Sequence, residues 1–277
     1  MKYQLTDIEN VKKASHRLKE TVRRTPFQYN ERLSQLTKTK LWLKREDLQE
    51  VRSFKIRGAY NKISSLNNNE RNKGVVCSSA GNHAQGVAKS CNLLKIEGVI
   101  FMPTITPRQK IEQVNMFGGK YVKVILDGDT YDDAYEAAKK YCNKNNKTFI
   151  HPFDDESVIE GQATLALEIL EQANEKIDAI IVPVGGGGLI SGVLSVFKQL
   201  SPETKIIGVE PEGAPSMSKS LTNNTVTSLD KIDPFVDGAS VKRVGEISYN
   251  LCREYLDEML LVPEGKICQT ILNMYNK

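Results

Sequence analysis

Short apolar runs alternate along the chain with longer segments in which apolar residues recur every three or four positions. Runs bounded by Gly, Pro or Asp predict strands, and the periodic segments between them predict helices. The predicted strands are Lys40–Lys44, Val75–Ser78, Gly98–Met102, Val122–Leu126, Phe149–Ile150, Ala179–Val184, Ile206–Val209 and Glu258–Val262. Strands that alternate with helices of this length indicate an α/β protein with largely parallel sheets.

Capping residues indicate where several helices begin. Asp7 precedes a periodic segment that starts at Ile8, and Asp129-Thr130 opens another at Tyr131–Cys142. A third follows Asp154–Glu156. Asp, Ser and Thr are favoured at this position because their side chains accept hydrogen bonds from the first backbone N–H groups.

Composition narrows the class of protein without identifying it. The chain has 277 residues, and its 38 Lys and Arg against 34 Asp and Glu leave a net charge of only +4. This length suggests about two domains, and so small a dispersed charge argues against a nucleic-acid partner. The longest apolar run, Ala179–Val184, is far shorter than the about 20 residues that span a bilayer, so no membrane association is expected.

The cysteines and histidines form no metal-site pattern. The five cysteines are widely spaced and the three histidines are isolated, which favours free, buried thiols in a reducing compartment. The N-terminus reaches charged residues too early for a signal peptide. We therefore expect a cytoplasmic protein.

A glycine-rich loop is the strongest chemical signal. The strand at Ala179–Val184 runs into Gly185, Gly186, Gly187 and Gly188 and then into a helical pattern. Glycines let successive backbone N–H groups converge on one anion at a helix N-terminus, so the loop predicts a phosphate site. Leu189 excludes a P-loop, and a dinucleotide fingerprint lacks its third glycine. Glu210 at the end of the next strand keeps a nicotinamide cofactor as an alternative.

Two further segments carry candidate chemistry. Lys55 lies between apolar neighbours in a predicted first helical turn, where burial and the helix N-terminus would lower its pKa and free the amine for Schiff-base chemistry. An ordinary solvated lysine is the alternative. Ser79 and Asn82 follow a strand and offer hydrogen-bonding groups for a carboxylate or a phenolic oxygen, although both are also common helix caps.

Three other places are less specific. His151 ends a strand and is interpreted as structural in preference to catalytic. The small residues of Val236–Ser240 are expected to line a site. Glu210–Ala214 is either a cation site built from carboxylate and carbonyl oxygens or a turn at the end of a strand.

The order of these motifs resembles the fold-type II pyridoxal-phosphate enzymes, and more narrowly their serine/threonine dehydratase group. The similarity covers essentially the whole chain. The matching segments are Arg24-Thr25-Pro26, Leu43–Gln49, Arg52–Asn61, Ser78–Gly86, His151–Asp155, Gly161-Gln162, Pro183–Gly188 and Asp237-Gly238-Ala239.

The resemblance implies a fold and a division into domains. The fold would be tryptophan synthase β-like, with two open, mainly parallel sheets flanked by helices. A large domain would comprise residues 1–50 and 148–277, and a small mobile domain residues 51–147. In this group the chain continues beyond a helix like that at Lys266–Tyr275 to a segment that contacts the cofactor's pyridine nitrogen. Biosynthetic members add a regulatory domain. Neither is found in these 277 residues, so we expect a chain truncated at its C-terminus.

The resemblance also assigns roles to residues. Lys55 would be the lysine that bonds to pyridoxal phosphate, with Phe54 near the ring. Gly185, Gly186, Gly187 and Gly188 would hold the phosphate, Asn82 would meet the O3′ oxygen, and Gly238 would lie beside the cofactor. The substrate carboxylate would be held by Ser79, Ala80, Gly81, Asn82 and His83. Glu210 and Ala214 would belong to a structural mono- or divalent cation site.

The implied activity is dehydration and deamination of L-threonine to 2-oxobutanoate and ammonia for isoleucine biosynthesis, with L-serine converted to pyruvate as a secondary activity. A homodimer or homotetramer is expected. One alternative is a truncated cofactor-binding fragment with little or no activity. A second is a serine racemase-like enzyme, although racemases of this type usually carry a serine where Ala84 stands.

Overall fold

The computed structural model describes residues 3–275. The helices in that range are α1 (Ile8–Leu18), α2 (Glu31–Thr37), α3 (Lys55–Ser64), α4 (Asn68–Lys73), α5 (Asn82–Leu94), α6 (Arg108–Gly118), α7 (Tyr131–Lys144), α8 (Glu156–Gln172), α9 (Gly188–Leu200), α10 (Ser216–Asn223), α11 (Glu246–Tyr255) and α12 (Glu264–Tyr275). The strands are β1 (Phe27–Tyr29), β2 (Trp42–Lys44), β3 (Val75–Ser78), β4 (Gly98–Met102), β5 (Val122–Leu126), β6 (Thr148–Phe149), β7 (Ala179–Pro183), β8 (Lys205–Pro211) and β9 (Glu258–Val262). Short 3₁₀ turns lie at Glu46–Leu48 and Gly119–Tyr121.

The strands form two parallel sheets and one small antiparallel sheet. The parallel sheets have the orders β5-β4-β3-β6 and β7-β8-β9. The predicted α/β architecture with two mainly parallel sheets is therefore confirmed. Strand β1 was not predicted from the sequence; it pairs antiparallel with β2 from Phe27 opposite Lys44. At three residues, β1 is too short for its alternation to stand out.

The predicted helix starts agree with the observed caps. The side chains of Asp7, Thr130 and Asp155 accept hydrogen bonds from the backbone N–H groups of Glu9, Asp133 and Val158 respectively. Each of these bonds satisfies one donor that the helix itself cannot.

The four-stranded sheet is covered on both faces. Val75, Cys77 and Ile100 pack with residues of α5 in one buried cluster, and Val76, Val99 and Phe101 pack with residues of α7 in another. This sandwich explains why β3 and β4 are apolar throughout. The sheet draws its fourth strand, β6, from just beyond the predicted small domain, and the proposed division into two domains stays a prediction.

The three-stranded sheet is different, because the described residues bury only one of its faces. Val182 and Ile206 face the core beneath α9. The register pairs Ile181 with Ile207 and Val209 with Leu260, which places these four residues on the opposite face because side chains alternate along a strand. Ile181 is 63% exposed and Leu260 is 42% exposed.

No helix within residues 3–275 is long and apolar enough to cross a bilayer. The five cysteines are free thiols, as predicted, and four of them are buried, but the expectation of burial is wrong for Cys268, which is exposed on α12.

Candidate active site

Lys55 is the first residue of α3 and lies at the centre of the site. Its Nζ donates a hydrogen bond of 2.8 Å to the carbonyl oxygen of Pro152 and lies 5.4 Å from the centroid of the Phe54 ring. Burial lowers the pKa of Lys55 from 10.5 to about 8, because desolvation disfavours the ammonium form. The amine is therefore partly neutral near neutral pH, as the sequence analysis expected.

The Pro152 carbonyl belongs to a tight segment between β6 and α8. The Nδ1 atom of His151 accepts hydrogen bonds from the backbone N–H groups of Phe153, at 3.3 Å, and Asp154, at 2.7 Å. Burial lowers the pKa of His151 to about 4, which suits a neutral ring with an accepting Nδ1. The imidazole therefore holds the turn that presents Pro152 to Lys55, in line with the structural interpretation of this histidine.

The glycine loop packs against this same segment. Gly187 has φ of +95° and precedes the first residue of α9, a conformation that favours glycine. A Cβ on Gly188 would lie 2.9 Å from Cβ of Phe153, and one on Gly186 would enter the Phe153 ring. The N–H groups of Gly185, Gly186 and Gly187 donate to no acceptor among the described residues, so they are free to bind an anion at the start of α9.

Asn82 and Gly238 lie next to this loop. Asn82 is the first residue of α5, and a Cβ on Gly238 would lie 3.8 Å from its Nδ2. A Cβ on Gly185 would lie 3.3 Å from the carbonyl oxygen of Gly238. Gly86 packs α5 onto the start of α3, since a Cβ there would lie 3.1 Å from the Lys55 carbonyl oxygen. The structure thus brings together Lys55, Asn82, Gly238 and the glycine loop.

The predicted substrate segment, Ser79–His83, forms the turn from β3 into α5. Oγ of Ser79 accepts a hydrogen bond from the N–H of Gly81 at 3.2 Å. The cap of α5 is Gly81, with no side-chain hydrogen bond, so the alternative that Ser79 and Asn82 only cap this helix is wrong. Ala80 is half-buried within the same turn.

The His83 ring is directed into the interior. It is 3% exposed, its Nε2 lies 3.0 Å from the Ile150 carbonyl oxygen, and its Nδ1 has no partner among the described residues. Burial lowers its pKa to about 3. The ring therefore ties α5 to the end of β6, and a role for His83 in substrate binding stays a prediction.

Glu210, from the predicted cation site, already has several protein partners. Its carboxylate accepts hydrogen bonds from the N–H groups of Met217 and Ser218, at 2.7 and 2.9 Å, and from the Ser218 hydroxyl at 3.0 Å. Residues 3–275 contain no group of three or more His, Cys, Asp or Glu side chains suited to a metal. Glu210 thus binds the first turn of α10, and Ala214 lies in the turn before that helix.

Three buried hydroxyls lie close to the loop or to the lysine; Ser240 belongs to the segment Val236–Ser240 that was expected to line a site, whereas Ser53 and Ser248 were not singled out from the sequence. Oγ atoms of Ser53, Ser240 and Ser248 are buried without a partner among the described residues. Ser53 precedes Lys55 by two residues, Ser240 follows Gly238 by two, and a Cβ on Gly187 would lie 2.8 Å from Oγ of Ser248. Buried hydroxyls are rarely left without hydrogen bonds, so donors of this kind fit an anionic group such as a phosphate.

Comparison with known proteins agrees with this geometry. The sequence pattern of the pyridoxal-phosphate-dependent enzymes matches residues 18–277. The biosynthetic L-threonine dehydratase IlvA of Halalkalibacterium halodurans is 56% identical over 270 residues, covering 98% of this chain and 65% of the relative. The corresponding protein of Bacillus subtilis is 51% identical over 273 residues, covering 99% of this chain and 65% of the relative.

Solved structures of similar proteins have the same fold as this chain. The processed form of threonine deaminase isoform 2 from Solanum lycopersicum superposes with a TM-score of 0.90 at 41% identity, covering 100% of this chain and 81% of that one. Maize serine racemase superposes with a TM-score of 0.93 at 33% identity, covering 98% and 81%.

The fold, the unpaired N–H groups of the glycine loop and the match over residues 18–277 all indicate one class of protein. The chain belongs to the pyridoxal-phosphate-dependent enzyme family. It spans 65% of the length of the curated relatives that it matches.

Proposed function

We propose that this chain catalyses the dehydration and deamination of L-threonine to 2-oxobutanoate and ammonia, with L-serine giving pyruvate as a secondary activity. The observation that carries the proposal is the Lys55 amine, whose pKa burial lowers to about 8, on the same Pro152–Phe153 segment as a glycine loop whose N–H groups are unpaired. The similarity to biosynthetic L-threonine dehydratases supports this substrate and a role in isoleucine biosynthesis.

The residues present fit pyridoxal phosphate. The N–H groups of Gly185–Gly188 at the start of α9 would hold its phosphate, with help from the buried hydroxyls nearby. Asn82 would donate to the phenolic oxygen, Phe54 would pack near the ring and Gly238 would lie beside it. When bound, the cofactor supplies an electron sink that stabilises negative charge at the substrate Cα.

Lys55 then acts as the proton carrier of the site. Its neutral Nζ would take the proton from the substrate Cα and would return it to the departing β-hydroxyl, which would leave as water. The released enamine would tautomerise to the imine, and one water would then convert the imine to the keto acid and ammonia. The Pro152 carbonyl, which accepts from the amine at 2.8 Å, holds Nζ beside the segment against which the glycine loop packs. The turn at Ser79–His83 would hold the substrate carboxylate with its backbone and with the Ser79 and Asn82 side chains.

Racemisation of serine is a second candidate, favoured by the structural similarity to maize serine racemase. It needs a group that returns a proton to Cα on the face opposite Lys55. Ala84, the position of the racemase serine, carries no proton donor and is fully buried. This supports elimination over racemisation.

A cofactor-binding fragment with little turnover is the remaining alternative, and it is consistent with the 65% coverage of the relatives. Measuring both the visible absorption band of the bound cofactor and the formation of 2-oxobutanoate separates this fragment from the active enzyme. A homodimer or homotetramer, a cytoplasmic location and a cation near Glu210 and Ala214 also stay predictions.

The test combines spectroscopy with turnover. The full chain mixed with pyridoxal phosphate should develop a visible absorption band that Lys55→Ala abolishes, because the substitution removes the amine that bonds to the cofactor. The wild-type chain should form 2-oxobutanoate from L-threonine. The variant Lys12→Ala, which removes an exposed lysine paired only with Glu9 on α1, is the matched control and should retain both.

Each contrary result has a distinct meaning. A band that persists in Lys55→Ala contradicts the assignment of Lys55. A Lys55-dependent band without formation of 2-oxobutanoate contradicts the proposed activity and favours the fragment. Formation of D-serine from L-serine at a rate comparable with pyruvate would favour the racemase.

A further inference from the structure

Arg57 lies two residues beyond Lys55 on α3 and is almost completely buried, at the base of a surface cavity that Thr164 and Glu168 also line. It is 1% exposed, and each of its five N–H donors has a partner. Its Nε and Nη2 donate to the two carboxylate oxygens of Glu46, both at 2.8 Å. Its Nη1 and Nη2 donate to Glu168 at 2.7 and 2.9 Å, and Nη1 also donates to Oγ1 of Thr164 at 3.1 Å.

The carboxylates that bind Arg57 are themselves held in place. Glu46 accepts a further hydrogen bond from the Thr25 hydroxyl at 2.5 Å, and Glu168 accepts one from Nζ of Lys44 at 2.5 Å. Two cations and two carboxylates make this Arg57 cluster neutral. Burial is the largest single influence and raises the pKa of Glu46, but the hydrogen bonds and charge of Arg57, together with hydrogen bonds from Thr25 and Gln49, outweigh it and lower the pKa below its usual range.

Stabilisation of the fold alone does not explain why the chain buries two ion pairs in the Arg57 cluster. Removing charges from water costs about as much as a buried ion pair returns, so a buried salt bridge is weak evidence for stabilisation. A guanidinium fork differs in that it fixes direction as well as distance. The fully satisfied fork of Arg57 therefore indicates a requirement for precise placement of α3.

Arg57 donates hydrogen bonds to α8, the helix that follows Pro152, whose carbonyl accepts the hydrogen bond from Lys55. Thr164 and Glu168 lie on α8, and Pro152 lies in the segment that leads into α8. The backbones of the two helices are in contact, since a Cβ on Gly161 of α8 would lie 2.5 Å from the Arg57 carbonyl oxygen. The Arg57 fork and the Lys55–Pro152 hydrogen bond thus join the same two parts of the chain at separate points.

We propose that Arg57 is a positioning residue. Its hydrogen bonds to Glu46 and Glu168 fix the rotation of α3 about its axis and its distance from α8, and so hold Nζ of Lys55 at the Pro152 carbonyl. The inference rests on the proposed function in taking Lys55 as the reactive amine. Arg57 itself touches neither cofactor nor substrate in this scheme. Its loss should let α3 shift and admit water to the amine.

The experiment measures the pKa of Lys55 in the full chain after removal of any bound cofactor. Competitive labelling with acetic anhydride over a range of pH, followed by peptide mass spectrometry, reports each lysine separately because only the neutral amine reacts. Arg57→Lys keeps the positive charge without the fork, and Arg57→Met combined with Glu168→Met keeps the cluster neutral. Lys198→Met removes a partly buried ion pair with Asp257 elsewhere in the molecule and is the control.

In both Arg57 variants the pKa of Lys55 should rise by one unit or more from the wild-type value, while Lys198→Met leaves it unchanged. A pKa of Lys55 within about 0.3 units of the wild-type value in a variant with wild-type circular dichroism overturns the proposal, since Arg57 would then be only structural. If Arg57→Lys does not fold, the neutral double variant decides. This readout needs neither cofactor nor threonine, so an absence of 2-oxobutanoate formation contradicts the proposed function and leaves this result standing.

Discussion

At the scale of the residue, burial sets the protonation state of the groups around the site. Lys55, His83 and His151 all have a pKa that desolvation lowers, to about 8, 3 and 4 respectively. Each group is thereby held closer to its neutral form than it would be in water. Neutrality serves a different purpose in each, because the lysine needs a free lone pair whereas the two rings serve as hydrogen-bonding anchors.

The histidines predict a loss of stability in acid. In the unfolded chain they take up protons near pH 6.5, whereas in the folded chain they do so only near pH 3 and 4. Stability should therefore fall as the pH drops below 6.5, by about 1.4 kcal/mol per pH unit for each buried histidine. His83→Gln keeps a donor for the Ile150 carbonyl but does not titrate, so it should lose about 2 kcal/mol less between pH 6.5 and 4.5.

Urea unfolding at a series of pH values measures this difference. His16→Gln, at an exposed position, is the control for the number of histidines and should follow the wild-type curve. A His83→Gln variant with the same pH slope as the wild type would show that His83 is not buried in its neutral form.

At the scale of the element, glycines set how closely α3 approaches its neighbours. A Cβ on Gly58 would lie 2.7 Å from Cγ1 of Val158 and 2.8 Å from its carbonyl oxygen, and Gly86 makes a comparable approach from α5. Helices that meet at backbone distance transmit small displacements directly, because a packed interior has no space to absorb them. The position of Lys55 therefore depends on both contacts.

Gly58→Ala should push α3 away from α8. The expected cost is about 1–3 kcal/mol of folding free energy, together with weaker binding of pyridoxal phosphate. Gly265→Ala is the matched control, because it also lies in a helix but has nothing within 4 Å. It should be neutral or stabilising by up to about 1 kcal/mol. Urea unfolding and titration of the visible band measure the two effects, and equal results for both variants would refute the role of the close contact.

Helices, strands and loops could be predicted from the sequence where a single pattern, such as an apolar run or a run of glycines, allows few other structures. The strands β3, β4, β5 and β9 occupy the predicted bounds, since apolar runs between turn residues have few other interpretations. The glycine loop was found for a similar reason. The bonds from Lys55 to Pro152 and from Arg57 to Glu168 could not be predicted, because they join residues 97 and 111 positions apart and depend on how finished helices pack.

At the scale of the whole molecule, the two parallel sheets differ in their environment. The four-stranded sheet is enclosed between helices, whereas the three-stranded sheet presents an apolar face that the described residues leave open. Parallel sheets are ordinarily covered on both faces, and an exposed apolar patch promotes association. Ile181, at 63% exposed, is the most accessible member of this face among the four named above.

Ile181→Lys should improve the behaviour of the chain in solution without destabilising it, because the side chain is already in contact with water. Light scattering at rising protein concentration should show less association, with the melting temperature within about 2 °C of the wild type. Ile206→Lys, on the buried face of the same sheet, is the contrasting variant and should unfold the protein. Unchanged scattering in Ile181→Lys would show that this face does not drive association.

The acceptors that hold Lys55 and His83 are both main-chain carbonyls, at Pro152 and Ile150. A carbonyl acceptor is present whichever amino acid occupies the position, so substitutions there change the path of the backbone and never delete the chemical group. A substitution in this segment therefore keeps the hydrogen-bond acceptor and affects the site only through the conformation of the backbone and the packing around it. A saturation mutagenesis experiment should find position 152 tolerant of small apolar residues that preserve the turn, because Pro152 is buried, with the sharpest intolerance at Lys55 itself.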